Sequence, residues 1–276
     1  MKNLEFHANK VNTLKIIDAH AHIFPKKIAE KASKSIGKFY GIEMGYNGLV
    51  KTLLNNGKKI GVSKYLVCST ATRSGQVSEI NDYVRSECDA HPEFIGFGTI
   101  HPDMPDPFSE LERIAALGFY GIKLHPDFQE FYIDDEKLVP VFRRIERLNL
   151  PVLFHMGDER YDFSRPVRLF NLMQRVPGLF CIAAHFGGYK RWDEARRYLK
   201  DGNVYFDTSS TLAIVEKEYA KDLIEHFGAR RFFFGVDYPM WDHEEELERF
   251  MALDLSDSER EMILYKNFER IFKVRA

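Results

Sequence analysis

The amino-acid sequence predicts a closed (β/α)8 barrel in a single domain, and three observations predict it. Eight short apolar, β-branched or aromatic runs alternate with longer amphipathic segments. The chain is 276 residues long, close to the roughly 250 that such a barrel typically needs. His20, His22, His101, His125, His155 and His185, six of the ten histidines, sit at the ends of successive runs, where a barrel of this kind gathers its chemistry.

The strand-like runs are 14–17, 65–69, 94–100, 121–124, 152–154, 179–184, 204–206 and 232–236. Between them, Leu49, Leu53, Leu54 and Ile60 share one helical face. So do Leu111, Ile114, Ala115 and Gly118, and again Val139, Phe142, Ile145 and Leu148. Further helices are expected at 166–175, 193–200, 214–227 and 244–251. A last one over 257–272 opens on Ser256-Asp257-Ser258-Glu259, a capping box. Gly118, Gly178 and Gly228 follow helical patterns and precede strands, as helix stops do. Pro151 enters its strand at the first position, where a missing N–H is tolerated. The competing architecture, an open doubly wound sheet, wants a glycine-rich phosphate fingerprint after the first strand, and the sequence has none. No linker, charge block or repeat divides the chain. The barrel is therefore expected over 14–276, behind a polar arm at 1–13. One irregular stretch, 24–48, is rich in Lys, Gly and aromatics, and a βα loop of that length is commonly functional.

A formal net charge of −2 and the lack of a Lys/Arg run provide no field for nucleic acid. Cys68, Cys88 and Cys181 are odd in number and share no metal-type spacing, which suits a reducing compartment. The first fifteen residues carry no apolar leader, and no run reaches the length of a membrane span. A cytoplasmic location without membrane or nucleic-acid partners is expected.

In Ile16-Ile17-Asp18-Ala19-His20-Ala21-His22, the two histidines are spaced i, i+2, so a β-strand turns both imidazoles to one side, where they can share a metal ion. The ends of the other runs offer residues 70–73, then His101, Lys123, His125, His155, His185, Asp207 and Asp237. Asp18 is placed on the histidine side, able to orient a ligand. His101 reads as a strand terminator and Asp207 as either a rim hydrogen-bonding residue or a substrate contact. His7, His91, His226 and His243 read as exposed.

The motifs Asp18-Ala19-His20-Ala21-His22, Gly121-Ile122-Lys123-Leu124-His125-Pro126, Leu153-Phe154-His155, Ala184-His185-Phe186-Gly187-Gly188 and Phe234-Gly235-Val236-Asp237-Tyr238-Pro239 together resemble the amidohydrolase superfamily, and more narrowly its amidohydrolase 2 branch. The ending Asn267-Phe268-Glu269-Arg270-Ile271-Phe272 is similar to that branch's terminal helix. The resemblance implies a distorted barrel in which His20, His22, His155 and Asp237 hold a divalent metal, with His185 catalytic or on a second metal. It also implies that Asp237 handles a proton, and it carries the expectation of a homo-oligomer. Imidazoles plus a carboxylate with an open position make a catalytic metal site, and bound zinc brings its water to a pKa of about 7. Zinc is the expected metal, with manganese or a second ion as alternatives. In two-metal members a carbamylated strand-4 lysine bridges the ions, and Lys123 stands in about that place. Otherwise it is a cation beside the substrate. His125, Arg73 and Trp241 are candidate substrate contacts, as are the loop arginines Arg160 and Arg165. Phe24, Tyr40, Phe128, Phe131, Tyr132 and Tyr161 suggest a planar or apolar pocket.

The leading functional expectation is hydrolysis by metal-activated water at a carbonyl centre (a lactone, amide or ester) of a small carboxylated or aromatic molecule. The alternatives are a metal-dependent, non-oxidative decarboxylase of an aromatic or unsaturated acid and a catalytically silent barrel that binds a ligand.

Overall fold

The structure is a computed structural model that describes residues 15–276; the arm expected over 1–13 lies outside the described residues. Eight strands pair in chain order, each parallel to the next. They are β1 (Ile16–His22), β2 (Val62–Cys68), β3 (Phe94–Gly98), β4 (Gly121–Leu124), β5 (Val152–Phe154), β6 (Cys181–Ala183), β7 (Val204–Asp207) and β8 (Phe232–Phe233). The irregular segment after β8 returns the sheet to β1. Ala19 N–H donates to Phe234 O at 2.8 Å, Asp237 N–H to His20 O at 2.8 Å, and His22 N–H to Tyr238 O at 2.7 Å. The result is the predicted (β/α)8 barrel, closed through a segment that is not itself a strand.

The helices are α1 (Ala29–Tyr40), α2 (Val50–Ile60), α3 (Val77–Ala90), α4 (Pro107–Ala116), α5 (Pro126–Gln129), α6 (Val139–Arg147) and α7 (Pro166–Arg175). They continue with α8 (Trp192–Tyr198), α9 (Lys217–Phe227) and α10 (His243–Met251). The chain ends on α11 (Asp257–Glu261), a π turn (Met262–Lys266) and α12 (Asn267–Phe272). The Ser256–Glu259 capping box forms as read. None of the described helices is long and apolar enough to cross a membrane.

Three helices were not legible in the sequence: α1, α3 and the four-residue α5. The stretch 24–48, read as irregular, contains α1, whose buried residues are only Ala29, Ser33 and Gly37. Four-residue spacing is present, but small side chains carry no hydrophobic signal. The helix stops at Gly41, whose φ of 69° suits a residue without Cβ. α3 buries Val77, Asn81, Val84 and Cys88, a helical stripe broken by a polar member.

Two apolar clusters follow from strand alternation. Ile17, Ala19, Leu66, Phe97, Leu153 and Phe233 fill the barrel interior, with Phe268 and Phe272 of α12 beneath them. The alternate residues, such as Ile16, Val67, Phe154 and Phe232, meet the helices. On β1 this alternation breaks: the register with β2 shifts between Asp18 and Ala21. Ile17 and Ala19 face inward before the bulge, and His20 and His22 face inward after it, because a bulge adds one residue and exchanges the faces. Asp18 is therefore on the opposite side from the histidines, contrary to the simple alternation. Its Oδ1 accepts the His20 and Val236 N–H groups, and its Oδ2 pairs with His243 Nε2 at 3.0 Å. His243, read as exposed, is fully buried in this pair.

Candidate active site

The bulge brings His20 and His22 to the interior mouth, and the closing segment brings Asp237 beside them. His20 Nδ1 lies 2.9 Å from Asp207 Oδ2. Its proton is spent there, so the Nε2 lone pair faces inward. His22 Nε2 is 3.3 Å from His20 Nε2. Asp237 Oδ1 is 3.6 Å from the first ring and 3.5 Å from the second. Ligands about 2.0–2.1 Å from a tetrahedral ion stand roughly 3.3–3.4 Å apart, so this trio has the spacing of one coordination shell.

Polar partners hold the trio in place. His22 Nδ1 faces Cys68 Sγ at 3.7 Å, whose thiol reaches Ala21 O. Burial lowers the His22 imidazole, but the Cys68 sulfur and the Asp237 carboxylate raise it to about 9. This corner attracts positive charge. Burial alone would raise Asp237, yet the His20, His22 and His185 rings hold it well below the usual carboxylate range. Trp241 Nε1–H donates to Ser210 Oγ at 2.8 Å, and that hydroxyl donates to Asp237 Oδ2 at 2.6 Å. Lys123 Nζ, fully buried, lies 3.0 Å from His20 Nε2, and burial pushes its ammonium down.

Asp237 and His185 both have left-handed backbones, with φ of 63° and 59°. For residues with a Cβ this conformation costs about 1 kcal/mol or more and tends to cluster at functional sites. Backbone bonds fix them: Asp237 N–H donates to His20 O, and His185 N–H donates to Asp207 Oδ1 at 3.0 Å. Asp207 therefore grips both His20 and His185 from below. It is not an open rim residue, and opposed to its burial these rings hold its carboxyl down at about 2.

The β4–β5 side is built differently. The fourth expected ligand, His155, stands apart from the trio, its Nδ1 3.0 Å from His185 Nε2. His185 Nδ1 bonds Ser209 Oγ at 2.9 Å, and burial lowers the imidazole to about 4, leaving it neutral. His125 and His155 stack 3.9 Å apart with ring planes 6° from parallel. With Asp127 they form another close set of donors. Lone pairs in parallel planes run side by side and do not meet, so this set is a stack and not a chelate. Asp127 is buried with Oδ1 unpartnered, and burial pushes its carboxyl up to about 7.

Tyr40, at the end of α1, reaches into this side. Its hydroxyl is 2.9 Å from His125 Nε2 and 3.4 Å from His155 Nε2. Phe39, Phe128 and Tyr189 surround its ring at 4.9 to 6.0 Å. Of the other candidates, His101 Nδ1 accepts Asp103 N–H in a local turn, as expected of a strand terminator. Arg73 is exposed on the loop after β2. Arg160 is tied to Asp158 and to Phe39 O, and Arg165 to Asp162 and Glu194. A groove of about 540 Å³ lined by Ser33, Gly37, Met44 and Tyr46 runs beside α1 and contains none of the donors.

Sequence reasoning missed the supports: Asp207 as the partner of His20, Ser209 and Ser210 as hydroxyl links, and Cys68 behind His22. The run Asp207-Thr208-Ser209-Ser210 at a strand end was the available signal.

Comparison with known proteins shows the family of the chain. The model of one protein family, described as Amidohydrolase, matches residues 17–274. A 2-keto-4-carboxy-3-hexenedioate hydratase of Sphingobium sp. strain SYK-6 is 27% identical over 213 residues, 62% of this chain and 62% of the hydratase. The chain thus spans less than two thirds of that relative. A gamma-resorcylate decarboxylase of Polaromonas sp. strain JS666 is 21% identical over 258 residues, 74% of this chain and 78% of the relative. A dihydroxybenzoic acid decarboxylase from the same organism, solved with manganese and the inhibitor 2-nitroresorcinol, superposes with a TM-score of 0.73 at 17% identity, covering 96% of this chain and 98% of its own. With nearly its whole barrel matched, the chain belongs to the amidohydrolase family.

Proposed function

We propose that this protein is a metal-dependent lyase that removes the carboxylate of a small aromatic or unsaturated acid as CO2. The observation that carries the reading is the His20–His22–Asp237 trio at the spacing of one coordination shell, in a chain similar to a gamma-resorcylate decarboxylase. The donor set fits a divalent cation, zinc or manganese: two imidazoles, which give up any proton on binding, and a carboxylate. His155, expected as the fourth ligand, would have to turn from its contact with His185 to join the trio. For the second-metal alternative on Lys123 and His185, Lys123 Nζ lies 3.0 Å from His20 Nε2, while His185 shares a close donor set with His20 and Asp207.

The cation would polarise the substrate's carboxylate and neighbouring oxygen. Lys123 adds positive charge on the interior side of His20. His185, neutral, bonded through Nδ1 to Ser209 and through Nε2 to His155, is held beside the trio. Asp237, ionised and steadied by Ser210, is the group proposed to relay a proton taken from solvent to the carbon that loses CO2: the C–C bond breaks, the carbon gains that proton and CO2 departs. Hydrolysis at a carbonyl, the leading expectation from sequence, uses the same donors but finds less support among the relatives. A hydratase reading is favoured by the 27% identity to a hydratase, and mass balance separates the two. With manganese-loaded protein and 2,6-dihydroxybenzoate, decarboxylation releases CO2, chelator abolishes the release, and His20→Ala lacks it. An unsaturated keto acid that gains water without losing CO2 would select the hydratase. Protein that takes up no metal would remove both readings.

A further inference from the structure

We propose that Tyr40 is a substrate-binding residue, whose hydroxyl donates a hydrogen bond to an anionic oxygen of a bound aromatic acid. The proposal rests on the aromatic-acid reading above and goes beyond it by assigning a residue from the β1–α2 insertion.

The tautomer of His125 follows from its surroundings. Its ring caps the short helix α5, with Nδ1 accepting the Phe128 N–H at 3.3 Å. Nδ1 is therefore the acceptor and Nε2 carries the proton. Nε2–H donates to the Tyr40 oxygen at 2.9 Å, which leaves the phenol's own proton to be given elsewhere. The acceptor it has is His155 Nε2 at 3.4 Å, a long bond for a hydroxyl, whose ordinary range is about 2.5–3.0 Å. The donor is thus half committed in a dry, aromatic setting, and a carboxylate or phenolate oxygen would take it at closer range.

The placement of Tyr40 is enforced. Arg160 binds Asp158 through two nitrogens and also donates to the carbonyl oxygen of Phe39, the residue before Tyr40. Its guanidinium lies over the Phe39 ring, 4.6 Å from the centroid. Phe39 in turn stacks on Tyr161 and meets Phe128 edge-on. The last turn of α1 is therefore held at the mouth by its end, while the rest of the helix rests on Ala29, Ser33 and Gly37. Accepting the buried His125 N–H accounts for the Tyr40 oxygen, but that role leaves the phenol's own proton over, and it is this proton that a bound anion would take. The cationic groups that a substrate anion would otherwise find are elsewhere: Lys123 is at the interior side of His20, and Arg160 is paired.

The test uses the full chain loaded with manganese, 2-nitroresorcinol as the coloured probe, and the conservative variant Tyr40→Phe. Elemental analysis should find equal manganese in the two proteins. Absorbance titration should give a dissociation constant raised roughly tenfold to a hundredfold in Tyr40→Phe, the loss expected of a hydrogen bond to a charged group. Ionisation of the bound probe should also move to higher pH, because a lost donor no longer favours the phenolate; a role in packing would not move it. Unchanged affinity and ionisation in Tyr40→Phe would overturn the proposal while leaving the aromatic-acid reading standing. Failure of the metal-loaded wild-type protein to bind the probe would sink the aromatic-acid reading and the proposal with it.

Discussion

The two sides of the barrel mouth use histidine in opposite ways. At the β1–β8 side, His20 and His22 turn their Nε2 atoms toward a common locus shared with Asp237. At the β4–β5 side, His125 and His155 lie flat on each other, 6° from parallel, and pass hydrogen bonds along to Tyr40 and His185. Ring orientation separates these outcomes, and backbone devices set it: a bulge and a closing ladder on one side, a helix cap on the other. Counting histidines near a site cannot tell a chelate from a relay; the planes of their rings can.

The largest test of this contrast removes one member from each side. His20→Ala should abolish metal retention and lower turnover by roughly a thousandfold, the scale of losing a principal electrostatic group. His125→Asn should keep the metal and cost roughly tenfold, the scale of one hydrogen bond. Elemental analysis with steady-state kinetics checks both, and equal metal loss in the two variants would erase the distinction. Next in size is Asp207→Asn, which leaves His20 without its carboxylate partner and should weaken metal affinity by roughly tenfold to a hundredfold, read by competition with a chelating dye.

The last test, which spares the metal, lies behind the His20–His22–Asp237 side. Glu246 of α10 is fully buried, with Oε1 on Arg249 and Oε2 unpartnered. Burial pushes its carboxyl from 4.5 up to about 7. The folded protein therefore holds this proton more tightly than the unfolded chain does. The associated stability is fully present below pH 4.5 and is lost as pH rises toward 7. The decline should be about 3 kcal/mol, and Glu246→Gln should flatten it in denaturant titrations at several pH values.

Much of the fold was legible because the barrel repeats one unit, and each apolar run such as Val152–Phe154 became a strand. α1 stayed hidden because Ala29, Ser33 and Gly37 bury almost no apolar area, although the length of its insertion marked the region as functional. In the site, His20, His22 and Asp237 were legible because strand ends converge whatever the loops do. The inward turn of the histidines came from a bulge that alternation does not foresee, and the same bulge sent Asp18 to the other face. His243 was misread because a histidine preceding three glutamates looks solvated, and only the three-dimensional neighbour, Asp18, explains its burial. Trp241 was flagged as a substrate contact, yet it is bonded through Ser210 to Asp237. That distance in sequence, Ser210 to Trp241, leaves no pattern to read.

The hydrogen bond from Asp237 N–H to His20 O joins the first strand to the segment that completes the sheet. Two of the proposed ligands are therefore rungs of the seam where the chain's beginning meets its end, and a cation between their side chains would rivet that seam as well as serve chemistry. Loading the protein with metal should then raise its thermal midpoint in proportion to the logarithm of free metal. Heat inactivation would begin by the barrel unzipping along this line, with loss of the ion as its first event.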